Sequence, residues 1–171
     1  MAYRDSKTLT AREQIQQKFV TRAAKLVNVF QCLIVSADSQ RREMFGHAAA
    51  GSGWKTFLCA DTPAALVCLN RSLVQLAIVD LEAQPPGLFR PVVEQLTARS
   101  GLLLIVCGNE GHVEEEVWVR QLGAWLYLPG VPDVDSFTAL CGEARHIAER
   151  LWKASNPQRD APAPAQRNSY S

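Results

Sequence analysis

The 171-residue sequence predicts an α/β fold with a doubly wound, five-stranded parallel sheet. Five short runs of mostly apolar, often branched residues occur along the chain, and a segment with helical spacing of its apolar residues follows each run. Strands that are apolar on both faces are typical of a parallel sheet between two helix layers. Each strand is therefore expected to reach the next through a right-handed helical crossover.

The predicted strands stop where residues that favour turns begin. A polar Ser-Ala-Asp-Ser segment follows the first strand, a Pro/Gly-rich loop follows the third, and a glycine-bounded turn follows the fourth. The predicted strands cover residues 30–35, 55–59, 76–80, 102–107 and 123–128.

Helix-start signals precede the segments with helical spacing. Asp61, Thr62 and Pro63 place a cap residue ahead of a proline near the first helical position. Three acidic residues lie in the first turn of the fourth helix, where the helix dipole favours negative charge, and Asp133 opens the last helix. The predicted helices cover residues 40–50, 62–69, 89–99, 114–122 and 133–151.

An extra amphipathic helix is predicted at residues 10–28, ahead of the first strand. Thr10 and Glu13 have the spacing of a capping box. Apolar residues then recur at three- and four-residue spacing, namely Ile15, Phe19, Ala23, Leu26 and Val27. This stripe must be covered by the domain or by a second copy of the chain, so a homodimer through the helix is one hypothesis. Residues 1–9 are predicted to be flexible.

The composition is typical of a soluble globular protein, with 47% hydrophobic and 20% charged residues. No apolar run approaches the roughly 20 residues of a membrane span, and no secretory signal is present, so a cytoplasmic location without a membrane partner is expected. Residues 1–30 carry six Lys or Arg against two Asp or Glu, a charge that favours a solvated flank over a nucleic-acid partner. Residues 29–152 are predicted to form one domain, and 153–171 a disordered tail.

Asp80 is the main candidate functional residue. It closes the third apolar run and precedes a loop that contains Pro85, Pro86 and Gly87. In open α/β sheets, ligands and chemistry collect at the carboxyl edge, where this carboxylate is expected to lie.

Residues 30–151 resemble a response-regulator receiver domain, which has a flavodoxin-like (βα)5 fold. The resemblance depends on the order of the elements and on three local matches. These matches are the strand that ends in Asp80, the Gly123-Ala124 and Tyr127-Leu128 pairs of the fifth strand, and the Asp133-Val134-Asp135-Ser136-Phe137 segment.

The resemblance implies a chemistry for which this chain lacks most of the residues. In the family, the Asp at the end of strand three accepts a phosphoryl group with help from a Mg²⁺-binding acidic pair, a hydroxyl after strand four and a Lys after strand five. These positions fall on Ser36 and Ala37, on Cys107 and on Gly130, respectively. Asp38, one residue further along, is the remaining candidate metal ligand. Phosphoryl transfer relies on positioned charge, so these substitutions predict a degenerate site.

The leading hypothesis is a stand-alone, degenerate pseudo-receiver in bacterial signal transduction that acts by protein–protein interaction and not as an enzyme. The resemblance places its partner on the face formed by the fourth helix, the fifth strand and the fifth helix, with Trp118, Trp125 and Tyr127 as candidate contacts. The alternative is a phosphorylatable single-domain response regulator of a two-component phosphorelay, with Asp80 as phospho-acceptor. No cofactor is expected for the leading hypothesis. Mg²⁺ is expected only if Asp80 is phosphorylated. A flavodoxin-like enzyme is a third hypothesis, but no catalytic motif accompanies it.

Overall fold

The computed structural model describes residues 29–82, 84–85, 87–130 and 132–155. The elements in chain order are β1 (Gln31–Val35), α1 (Ser39–Gly51), β2 (Lys55–Cys59), α2 (Thr62–Arg71), β3 (Val74–Asp80), α3 (Arg90–Thr97), β4 (Leu103–Gly108), α4 (Val113–Gln121), β5 (Leu126–Pro129) and α5 (Val134–Ser155). The predicted helix at 10–28, the predicted flexible segment 1–9 and the predicted tail beyond Ser155 lie outside the described residues.

All five strands pair in parallel, in the order β2-β1-β3-β4-β5. The predicted doubly wound sheet and its receiver-type topology are therefore confirmed. β3 lies at the centre, between β1 and β4. Its last residue, Asp80, is in register with Cys107 of β4.

Two hydrophobic cores fill the space between the sheet and its helices. One core contains Leu33, Val79 and Val106 from the sheet and packs under α2, α3 and α4. The other contains Ile34, Ile78 and the side chains of α1 and α5. Because β1, β3 and β4 are apolar on both faces, each strand contributes alternate residues to both cores.

The helix starts follow the predicted signals. Asp61 caps α2 by accepting a hydrogen bond from the Ala64 N–H (2.8 Å), and Pro63 lies in the first turn. Asp133 accepts a hydrogen bond from the Ser136 N–H (2.9 Å) at the start of α5. These short polar side chains satisfy backbone donors that the helix leaves unpaired.

Two boundaries differ from the prediction by three or more residues, and the others by two at most. β5 begins at Leu126 and not at residue 123, because Gly123 adopts a φ of +89° and donates its N–H to the Arg120 carbonyl to close α4. α5 continues to Ser155, three residues beyond the predicted domain end at Trp152. Among the described residues, no helix is long and apolar enough to cross a membrane.

Candidate functional site

Asp80 is buried at the carboxyl end of the central strand, with no solvent exposure of its residue. The Ser36 hydroxyl donates a hydrogen bond to Asp80 Oδ2 (2.7 Å), and the Glu82 backbone N–H donates one to Oδ1 (3.2 Å). Ser36 directly follows β1, the neighbour of β3, so the sheet topology brings the two side chains together. Ser36 therefore supplies a donor to Asp80 at a position where the resemblance implies an acid.

Arg41 is a further residue of the site, and the sequence motifs do not identify it. Its Nη1 lies 3.5 Å from Asp80 Oδ1 and 2.6 Å from Glu82 Oε2, and its Nη2 donates to the Glu82 carbonyl oxygen (3.1 Å). The Arg41 side chain is 18% exposed. A guanidinium thus lies beside the carboxylate and also holds the start of the β3–α3 loop.

The start of α1 positions Arg41. Asp38 is the N-cap residue, and its Oδ1 accepts a hydrogen bond from the Arg41 backbone N–H (2.9 Å). Arg42, the next residue, donates from Nη1 to the Ser36 carbonyl oxygen (2.7 Å). A sequence signal for this arrangement exists, because two arginines in a first helical turn oppose the helix dipole and indicate anionic or carbonyl partners.

Burial raises the pKa of Asp80 above its usual value, and this effect outweighs the opposing effects of the Ser36 hydrogen bond and the Arg41 charge. The ionised carboxylate is therefore less favourable in the folded protein than in the unfolded chain. The Asp80 carboxyl group therefore stays protonated to a higher pH in the native state than in the unfolded state. Stability consequently falls as the pH rises from the usual Asp pKa, near 4, to the folded-state pKa.

The substitution Asp80→Asn is expected to raise the free energy of unfolding by about 1 kcal/mol at pH 7. Asparagine removes the buried charge and can still accept hydrogen bonds, while Arg41 keeps Glu82 as its partner. Urea denaturation of both proteins between pH 3.5 and 7.5 would measure the difference. We expect the extra stability of Asp80→Asn to vanish near pH 3.5 and to increase as the pH rises. A stability difference between the two proteins that stays constant from pH 3.5 to 7.5 would contradict the raised pKa.

A Mg²⁺ ion does not fit the donor groups around Asp80. The candidate metal ligand Asp38 directs its Oδ1 to the helix cap, and the Arg41 guanidinium already lies against Asp80. Mg²⁺ requires a near-octahedral set of oxygen ligands, which a neighbouring cation opposes. In the described part of the chain, no group of three or more His, Cys, Asp and Glu side chains could hold a metal ion.

The other positions implied by the resemblance also lack the expected groups. Ala37 is exposed after β1. The buried thiol of Cys107 lies at the position that the family gives to a hydroxyl. Burial raises the pKa of this thiol, and the nearby charge of Asp80 raises it further. Gly130 follows β5 with a φ of +78°, and its N–H donates to the Gly108 carbonyl oxygen (2.8 Å). A Cβ at Gly130 would lie 3.2 Å from Glu110 Oε1, so an acidic side chain borders the position that the family gives to lysine.

The three aromatic residues predicted at the partner face lie on both sides of the sheet. Trp118 of α4 and Tyr127 of β5 pack with the core under α2–α4, whereas Trp125 packs with the core under α1 and α5. Tyr127 is buried, and its hydroxyl donates to Glu115 Oε1 (3.0 Å). Trp118 and Trp125 are half-buried, so these two can offer surface to a partner without a rearrangement.

No family profile and no curated protein matches the chain in sequence. Solved structures do match its fold. A CheY-like response regulator receiver domain protein from Methanospirillum hungatei JF-1 superposes with a TM-score of 0.63 at 18% identity, over 72% of this chain and 98% of that chain.

Two further matches are of the same kind. The chemotaxis response regulator CheY4 of Vibrio cholerae superposes with a TM-score of 0.58 at 17% identity, over 68% of this chain and 99% of that one. The receiver domain of NtrX from Brucella abortus gives 0.58 at 16% identity, over 68% and 98%. The strand order and these superpositions together show that the chain has the fold of response-regulator receiver domains.

Proposed function

We propose that this protein is a receiver-like module of bacterial two-component signalling that acts in the cytoplasm by binding another protein, without phosphorylation of Asp80. The contact between Arg41 and Asp80 carries the proposal. A phospho-acceptor needs a carboxylate oxygen free to attack phosphorus and a metal to bridge the oxygens. Here both Asp80 oxygens accept hydrogen bonds, from the Ser36 hydroxyl and the Glu82 N–H. The Arg41 guanidinium lies beside the carboxylate, where a metal ion would have to bind.

The proposed partner surface is the face of α4, β5 and α5. Val113 and Val117, one helical turn apart on α4, are 67% and 46% exposed. The half-buried Trp118 lies beside them in sequence and, on the α3 side of α4, lines a cavity of about 470 Å³ with Phe89 and Pro85 of the β3–α3 loop. Tryptophan is among the residues that most often anchor protein interfaces, and apolar side chains around such an anchor help to exclude water. This role requires no cofactor, nucleic acid or membrane.

Phosphorylation is the direct test of the proposal. The full chain, its Asp80→Asn variant and a phosphorylatable receiver domain as positive control would be incubated with Mg²⁺ and acetyl phosphate, then weighed by intact-mass spectrometry. We expect the phosphoryl mass in the positive control alone. Tryptophan fluorescence during a beryllofluoride titration should likewise stay constant in this protein, because Trp118 and Trp125 would report a rearrangement near the proposed face.

A phosphoryl adduct that forms on the wild-type chain and is lost in Asp80→Asn would overturn the proposal. It would establish the alternative, a phosphorylatable single-domain response regulator. The mass measurement distinguishes the two functions directly, because they differ in whether Asp80 carries a covalent group.

A further inference from the structure

The amino edge of the sheet, opposite the edge that holds Asp80, has an uncovered groove that is apolar in part. Leu73, in the connection from α2 to β3, is 76% exposed, the largest value among the exposed large apolar side chains of the described residues. It borders a cavity of about 380 Å³. We call this feature the amino-edge groove, and its lining residues are Leu73, Val74, Ala98, Arg99, Ser100 and Leu102.

The chain enters the sheet next to this groove. Gln31, the first residue of β1, is in register with Val74 of β3. Neighbouring strands lie about 4.8 Å apart, so the residues that precede β1 begin within about one strand spacing of the groove. Val29, the first described residue, is 52% exposed at this entry point. The described chain therefore enters β1 beside the groove.

We propose that residues 10–28 of the same chain form a helix that packs against the amino-edge groove. These residues lie outside the described part of the structure, and their sequence predicts a helix about 28 Å long with one apolar stripe. Only Val29 and Phe30 separate the end of this segment from β1. A connection this short favours packing at the amino edge, where the exposed Leu73 and the half-buried Leu102 offer apolar surface.

The polarity of the segment fits this position. Its apolar stripe, which includes Phe19 and Leu26, can face Leu73, while the helical spacing puts Lys18 and Lys25 outside that stripe. The groove lies at the edge opposite Asp80, and α4 is not among its lining residues. The docked helix would thus leave the proposed partner surface open, and the inference is independent of the proposed function.

Hydrogen exchange on the full chain tests this docking. We expect backbone amides within residues 10–28 to exchange slowly in the wild type. The substitution Leu73→Glu should speed their exchange by about tenfold or more, because a charge would enter the buried contact. Val67→Glu on α2 is the matched control, since Val67 is also exposed (50%) and lies outside the groove lining; it should leave the exchange unchanged.

A second variant tests the contact from the helix side. Phe19→Glu should speed exchange within 10–28 and also in the groove segment 98–103, and that reciprocal effect would not arise from a helix that merely forms on its own. Rapid exchange of residues 10–28 in the wild type, or protection that Leu73→Glu leaves intact, would overturn the proposal. Protection that disappears on dilution, together with a dimer mass in sedimentation, would overturn it in favour of a second copy as the occupant.

Discussion

Replacing Arg41 with methionine is expected to lower the free energy of unfolding by about 3 kcal/mol at pH 7. The guanidinium lies 3.5 Å from the fully buried Asp80 carboxylate and 2.6 Å from Glu82 Oε2. Methionine keeps much of the side-chain volume and removes the charge, so Asp80 would be left buried without a cationic partner. Urea denaturation followed by circular dichroism measures the loss.

The pH dependence and a double-mutant cycle separate this effect from lost packing. The penalty of Arg41→Met should shrink as the pH falls from 7 towards 4, because Asp80 can then become protonated and no longer needs the cation. In the Asp80→Asn background the same substitution should cost about 1 kcal/mol or less. Equal penalties in both backgrounds would show that Arg41 acts through Glu82 or through packing alone.

A surface ion pair in the same protein provides the control. Arg120 lies 2.7 Å from Glu116 one turn away on α4, and its side chain is 56% exposed. Solvent screens such a pair and ordering two long side chains opposes it, so Arg120→Met should change stability by less than about 1 kcal/mol. A short ion-pair distance is therefore a poor guide to energy without the burial of the carboxylate.

The sheet could be predicted because local sequence determines it. Apolar runs such as 76–80 bury both faces of a strand, and cap residues such as Asp61 mark helix starts within three residues. The predicted start of β5 is too early because Gly123 fits a strand sequence and a helix-closing turn equally well. Its positive φ, which decides between them, is a property of the folded backbone.

The site was predictable only in part, because its composition depends on contacts between distant segments. The proximity of Asp80 and Ser36 follows from the topology, because adjacent parallel strands end at the same edge of the sheet. The distance between Arg41 and Asp80 depends on the rotation of α1 and on the rotamer of a long side chain, which a spacing pattern does not report. Two arginines in a first helical turn were the available signal, and that signal indicates an anionic partner without naming it.

Gly108 is a second residue whose role depends on packing, and Gly108→Ala is expected to destabilise the fold by about 3 kcal/mol. A Cβ at this position would overlap the Tyr127 hydroxyl, the edge of its ring and Glu115 Oε1. Tyr127 is buried, and its hydroxyl donates a hydrogen bond to Glu115. In the alanine variant, either the Tyr127 ring must leave the core or β4 and β5 must separate. From sequence alone, Gly108 is only part of a turn, whereas in the structure it pairs with Pro129 as the last residue of β4.

Thermal and urea denaturation of two alanine variants would test this requirement. A Cβ at Gly142, within α5, would meet no described atom within 4 Å, so Gly142→Ala should stabilise the protein by up to about 1 kcal/mol. In a Tyr127→Ala background, where the ring is absent, Gly108→Ala should lose most of its cost. If Gly108→Ala is as well tolerated as Gly142→Ala, the close approach of Tyr127 to β4 is not what requires glycine at this strand end.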